Sequence, residues 1–361
     1  SKTDGAKRKC IRGIPSLVDA NDAGGARSLE CTLMLVEGGS AKAGVVSGLT
    51  QKDRKTMGVY ALRGKLMNVR GEKLSKMATN KEINDIKKIV GLEAGKCYAE
   101  NSSRSKLRYG KIVLLVDQDK DGSHIKGLCL NLFDSQWPSL LRVPGFVSYM
   151  NTPIIRATKG SICKTFYNEV EYNEWMQQEA ATVKTYRIKY YKGLGTSSAS
   201  EFKEYMRDKV LIDFDASSTD SVNYLDLVFN KKRSQDRKAW LANYDPNLYN
   251  QNTEGALKLE DFVNREMIHF SKYDNERSIP SIVDGLKTSQ RKILFSAFQR
   301  NLVREVKVSQ FSGYVSERSS YHHGEASLNA CIIGLAQDYV GSNNINLLFP
   351  SGQFGTRLQG G

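Results

Sequence analysis

The stretch KIVLLVDQDKDGSHIKGL, Lys111 to Leu128, decides the fold. Ile112 to Val116 is a short apolar run rich in β-branched residues and reads as a buried parallel strand. Asp117, Asp119 and Asp121 follow at alternate positions with Gly122 behind them, and a helix is expected to start near Ser123. The carboxylates therefore sit at the C-terminal end of a strand, the edge at which open α/β sheets bind ligands. Three carboxylates this close, with no Cys or His among them, suit a hard cation such as magnesium, held by few protein ligands and several waters. The spacing also matches the first half of an EF-hand calcium loop. Position 12 of that loop would be Leu128, where a bidentate Glu is required, and the preceding element is a strand instead of a helix. A solvated acidic turn without metal is the remaining alternative.

Working outward, a second strand begins at Glu30, runs through CTLMLV and ends at Glu37, followed by the turn and helix of GGSAKAGVVSGL. If this strand neighbours the one at Ile112, Glu37 meets Asp117 and Asp119 at one sheet edge, and four carboxylates converge. Left ionised and unpaired they would repel, and a divalent ion resolves the repulsion. Taken alone, Glu37 is a strand-terminal acid facing solvent. Tyr60 to Arg70 is a basic loop. Glu82 to Val90 is helical, with Ile83, Ile86 and Ile89 on one face. A helix runs from the aspartates to about Leu141, and extended segments flank Pro153. Glu171 to Ala180 reads as a helix and Tyr186 to Tyr191 as a strand that ends in KGLGTS. This alternation predicts an α/β domain over residues 29–205, with a mostly parallel sheet and helices on both faces.

Residues 1–28 read as an irregular lead-in, and the polar stretch 206–256, carrying NKKRSQDRK at Asn230 to Lys238, as a connecting segment. From Leu257 to the end the chain reads as mainly helical. Within SIVDGLKTSQRKILFSAFQRN, two helices joined by a Gly-containing turn predict a helix-turn-helix or winged-helix unit. Its second helix opens with Gln290, Arg291 and Lys292, and Pro280 suits the first turn of its first helix.

The bulk composition narrows the partners. A chain of 361 residues holds two or three domains, and 40% apolar with 25% charged residues is ordinary for a globular protein. A net charge of +14 is not ordinary. It favours a polyanionic partner, nucleic acid first and an acidic membrane surface second. The six cysteines form no CxxC and have no His at zinc-ligand spacing, which fits a reducing compartment. No run approaches the length of a membrane span and no signal peptide is visible. The chain opens on Ser1 and closes on Gly360-Gly361, as a piece of a longer polypeptide would.

The phrases VEGGSA and DQDKDGSHIKGL resemble the TOPRIM domain, an α/β magnesium module of topoisomerases and some primases. ALRGKLMNVR, YYKGLGTS, RSIPSIVDGLKTSQRKILF, YHHGEASL and GSNNINLLFPSGQFGTR extend the match in order across most of Leu29 to Gly361. Together they resemble the DNA-cleavage core of a eukaryotic-type type IIA topoisomerase, with TOPRIM and winged-helix parts on one chain. The resemblance implies that Glu37, Asp117, Asp119 and Asp121 hold Mg2+ at the scissile phosphate. It places Arg291 and His323 beside the reacting phosphate, and Arg63, Lys65, Asn68, Arg70, Lys192, Lys287 and Lys292 along double-stranded DNA. The blander readings are a backbone contact for Arg291, a structural hydrogen bond for His323 and a solvated basic loop for the others. The resemblance further implies a homodimer, no membrane, and a nuclear location (a virus factory or virion if the source is viral). It implies ATP hydrolysis by a domain outside this chain, since no phosphate-binding loop motif occurs here. Two departures stand out. Gly39 occupies a position where the family has an acid. The family nucleophile, a tyrosine after an arginine a few residues beyond FGTRxxGG, is not reached; Tyr314 and Tyr321 do not match its motif. Residues 1–361 by themselves are therefore expected not to cleave DNA covalently. A TOPRIM nuclease or primase, or a non-catalytic DNA-binding module, are the alternatives.

Overall fold

The computed structural model describes residues 10–218, 220–250 and 254–359. The first nine residues of the expected lead-in, four positions within the expected connecting segment, and Gly360-Gly361 lie outside them. Ten strands are described: β1 (Leu17–Val18), β2 (Thr32–Glu37), β3 (Met57–Leu62), β4 (Lys111–Leu115), β5 (Val147–Met150), β6 (Ile155–Lys159), β7 (Ile162–Phe166), β8 (Arg187–Tyr190), β9 (Leu211–Asp215) and β10 (Ala256–Lys258). Seven of them form one sheet in the order β1-β3-β2-β4-β5-β9-β10. The central block β3-β2-β4-β5 is parallel. At the flanks β1 runs antiparallel to β3, β9 runs antiparallel to β5, and β10 runs parallel to β9. The sheet is thus parallel at its centre and mixed overall.

The alternation of side chains across β2 and β4 explains why both strands are apolar throughout. Leu33, Leu35, Ile112 and Leu114 face one side, packing with Ile83, Ile86 and Ile89 of the helix Lys81–Val90 and with Leu128 and Leu132 of the helix Lys120–Gln136. Met34, Val36, Val113 and Leu115 face the other, against the helices Gly38–Gly48 and Ala199–Arg207. Each of these side chains, fully withdrawn from water, contributes about 1.5–3 kcal/mol. Helices therefore cover both faces, as the sequence pattern predicts. Asn80 caps the helix Lys81–Val90 by accepting from the Ile83 amide at 3.0 Å.

Three readings are corrected here. The lead-in is not free of the fold: β1 pairs with β3, and Asp19 accepts hydrogen bonds from the fully buried Arg108 and from Tyr109. The segment 206–256 is more than a connection, because it supplies β9 to the main sheet and the helix Ser221–Phe229, whose Leu225 and Phe229 are buried in the main core. Its polar residues belong to the outer faces of these elements, which is why composition alone concealed them. The helix after the aspartates starts at Lys120 and not near Ser123, because Asp119 is its cap and accepts from the Gly122 amide at 2.7 Å. The helix Glu169–Gln178 and strand β8 match the expected helix and strand, but their assembly with β6 and β7 into a separate antiparallel sheet, packed around Ile155, Phe166, Tyr172 and Trp175, is not expected from the sequence.

One compact unit ends at Phe270 and a second begins at Ser271. The helical LEDFVNREMIHF segment thus packs with the α/β unit: Leu259, Phe262, Val263 and Met267 join its core. In the second unit the helices Thr288–Gln299, Val308–Ser319 and Glu325–Ala336 enclose Ile293, Phe311, Val315, Leu328, Ile332 and Leu335. No strand occurs among its described residues. Pro280 does not open a helix. It follows the helix Ile268–Ser278, and residues 281–285 form a turn in which the Gly285 amide donates to the Ser281 carbonyl at 2.7 Å. Ile282 and Val283 are exposed there, so no apolar face is available to stabilise the expected helix.

Candidate functional site

The adjacency of β2 and β4 puts Glu37 beside Asp117. Val36 is in register with Leu115, so Glu37 at the end of β2 and the residues just past β4 meet at the carboxyl edge of the sheet. Glu37 Oε2 lies 3.4 Å from the Asp117 amide. Asp117 Oδ1 accepts from the Leu194 amide at 2.7 Å. Leu194 belongs to the KGLGTS loop, and the preceding Gly193 passes so close that a Cβ there would stand 2.3 Å from Asp117 Oδ2. Gly122 is under the same constraint on the other side, with a hypothetical Cβ 1.9 Å from the Asp117 carbonyl oxygen. Two glycines thus let the loop and the helix start close around one carboxylate. Gly193 is a residue that sequence reasoning missed; the signal was the Gly-Leu-Gly directly after a strand.

Burial pushes the Glu37 carboxyl up to about 7, with repulsion from Asp117 and smaller contributions from Asp119 and Asp121 adding to it. Burial also raises Asp117. The donors are all oxygen and they repel one another, which fits a hard divalent cation. Among the described residues no group of three or more His, Cys, Asp or Glu side chains is placed to hold a metal ion. The sign of the pH dependence follows. The folded-state value of Glu37 lies above the ordinary 4.5, so the folded chain binds the proton more tightly and loses stability as pH rises from about 4.5 to about 7. In metal-free buffer at pH 8, Glu37→Gln is expected to stabilise the chain by about 1–2 kcal/mol after discounting for solvent screening. The gain should vanish at pH 4.5, and paired denaturant titrations at the two pH values check it.

The expected DNA-facing residues separate into two groups. Arg63 and Lys192 have exposed side chains. Lys65 pairs with Asp121 at 2.6 Å and lies 4.7 Å from the Phe270 ring centroid. Asn68 and Arg70 are turned inward, which corrects their expected placement. Asn68 Nδ2 donates to the Phe229 carbonyl at 2.8 Å. Arg70 Nε donates to Asn131 Oδ1 at 2.8 Å, and its guanidinium pairs with Asp134 and Asp226. A side chain already committed to two carboxylates has little left for a phosphate. Gly39 is exposed, and a Cβ there would meet nothing within 4 Å.

The second unit carries the other expected residues. Arg277, Lys287, Ser289, Gln290, Tyr321 and His323 line an open concavity of about 440 Å3. His323 Nε2 lies 2.8 Å from the Tyr273 hydroxyl, and Tyr321 packs edge-on against its ring. Arg291 is exposed and paired bidentately with Asp284, both contacts at 2.8 Å, which holds the guanidinium in a fixed plane. Lys287 is exposed, whereas Lys292 is half-buried, donates to the Ser320 carbonyl at 3.2 Å, and has its pKa lowered by burial. Arg277 was not singled out in the sequence; only the fold brings it beside His323.

Three family models together match residues 32–275 and 277–361. The Toprim domain matches residues 32–150, the C-terminal associated domain of TOPRIM matches 150–275, and the DNA gyrase/topoisomerase IV A-subunit family matches 277–361. The whole chain is 49% identical to DNA topoisomerase 2 of Drosophila melanogaster and 50% identical to DNA topoisomerase 2-alpha of Homo sapiens. The chain is homologous to the type II topoisomerase cleavage core. It spans about a quarter of those relatives, 26% and 24% of their lengths. Among solved structures, the DNA-binding, cleavage and re-ligation domain of Plasmodium falciparum topoisomerase II matches with a TM-score of 0.81 and 47% identity, over 96% of this chain and 47% of that one. Among the described residues no helix of this topoisomerase II homologue is long and apolar enough to cross a membrane.

Proposed function

We propose that this chain is the DNA-cleavage core of an ATP-dependent type II topoisomerase. The intact enzyme makes and reseals a transient double-strand break through tyrosyl phosphodiesters and passes one duplex through another. It acts as a homodimer in the nucleus. The observation that carries the proposal is the meeting of Glu37 and Asp117 at the ends of adjacent parallel strands, next to Asp119, in a chain half identical to topoisomerases along its whole length.

Glu37, Asp117 and Asp119 would hold Mg2+. Bound there, the ion supplies charge stabilisation to the attacking and leaving oxygens of an in-line phosphoryl transfer. The chain's own residues do the rest. The Leu194 amide fixes the Asp117 carboxylate, and Gly193 and Gly122 keep the approach to it narrow. Arg291, held by Asp284 through Nε and Nη2, would donate to a phosphate oxygen through its remaining Nη1 group. His323, oriented by Tyr273, would donate a hydrogen bond to a phosphate. Arg63, Lys192 and Lys287 neutralise backbone phosphates, which makes binding steeply salt-sensitive.

The test uses the longest form of the protein with supercoiled DNA and magnesium, quenched with detergent. Protein attached covalently to cut DNA is the expected result. Salt-sensitive binding without an adduct, in a form that includes the downstream segment, would leave only a DNA-binding scaffold.

A further inference from the structure

We propose that Asp121 is a positioning residue that holds Lys65, and through it the basic loop 63–70, and is not a further metal ligand. This rests on the metal reading above for Glu37, Asp117 and Asp119.

Asp121 lies in the first turn of the helix Lys120–Gln136, just beyond the cap Asp119. Its Oδ1 is 2.6 Å from Lys65 Nζ, and both side chains are partly withdrawn from water, 22% and 35% exposed. The Lys65 ammonium also rests on the face of Phe270. A partly desolvated ammonium with both a carboxylate and a ring is held more firmly than a surface ion pair. The far end of the loop is tied to the same helix. Asn131 Nδ2 donates to Asn68 Oδ1 at 3.0 Å, Arg70 Nε donates to Asn131, and Arg70 pairs with Asp134. The loop is thus fastened at two points about 15 Å apart along one helix. The same helix is capped by Asp119, so loop and carboxylates share one rigid support.

Charge points the same way. Lys65 neutralises Asp121, leaving Glu37, Asp117 and Asp119 to face a dication. Recruiting Asp121 Oδ1 as a ligand would detach Lys65 and free one end of the loop. An ammonium has three donors, so Lys65 can keep Asp121 and still reach a phosphate.

The experiment compares D121N, K65M, the double variant and D119N of this chain in two measurements. Mn2+ affinity is read by electron paramagnetic resonance, and exchange of the loop 63–73 amides by hydrogen–deuterium mass spectrometry. D121N should keep Mn2+ affinity within about threefold, while D119N loses at least about tenfold. D121N and K65M should each speed loop exchange, and the double variant should add nothing to either. Loss of Mn2+ affinity in D121N equal to that in D119N would overturn the proposal, as would an unchanged loop or additive effects. If D119N also leaves Mn2+ affinity intact, the metal reading fails, and the loop data still decide the role of Asp121.

Discussion

Asp117→Asn is expected to lower Mn2+ affinity of this chain by at least about tenfold and to slow magnesium-dependent DNA cleavage by the longest form about 10²–10³-fold. Asp117 is the carboxylate around which the site is built. It touches the Glu37 side, takes the Leu194 amide, and lies between two glycines that admit nothing larger. Asparagine keeps the shape and can still accept from Leu194, so the fold should survive. The lost negative charge weakens the attraction for the cation, and it relieves the repulsion that adds to burial in raising Glu37. Melting no lower than the parent's, with lost metal affinity, is the outcome that places Asp117 at the metal. Retained Mn2+ affinity with normal cleavage would remove it from the ligand set.

The second large effect is on stability. Gly122→Ala would place a methyl 1.9 Å from the Asp117 carbonyl and 3.2 Å from the Val116 side chain. Backbone cannot yield there without moving the end of β4 or unwinding the first turn of the helix Lys120–Gln136. The expected cost is about 2–4 kcal/mol, although alanine ordinarily favours a helix over glycine. The melting midpoint should fall roughly 5–10 °C. Gly39→Ala is the matched control. It lies in the first turn of the helix Gly38–Gly48, where a methyl meets nothing within 4 Å, and should change stability by less than about 0.5 kcal/mol. Equal effects of the two substitutions would mean that the close approach at Gly122 is not what its glycine serves.

The contrast between these glycines also bears on the departure at position 39. The backbone there is exposed and roomy, so an acid in its place has no steric consequence. The acid that the resemblance leads one to expect at position 39 would demand no change in how β2 ends or how Glu37 is held.

The centre of the sheet and its acidic edge were legible in the sequence alone. Two uninterrupted apolar runs, each ending in an acid, read as strands buried on both faces, and their ends then lie at the carboxyl edge of the sheet. The helix face of Ile83, Ile86 and Ile89, and the basic surplus, were equally local signals. What emerged only on folding depends on groups far apart in the chain. Asn68 and Arg70 read as part of a basic DNA-facing loop until Asn131, Asp134 and Asp226, more than sixty positions away, claim them. Lys65 and Asp121 read as a phosphate contact and a metal ligand until the fold pairs them. The partner of a charge is not encoded in its own neighbourhood, because the free energy of an ion pair depends on what desolvates it and what lies within a few ångströms. Distant partners also hid β9 in a polar stretch: its Leu211, Ile212, Asp213, Phe214 and Asp215 become a strand because β5 offers them an antiparallel edge and β10 a parallel one.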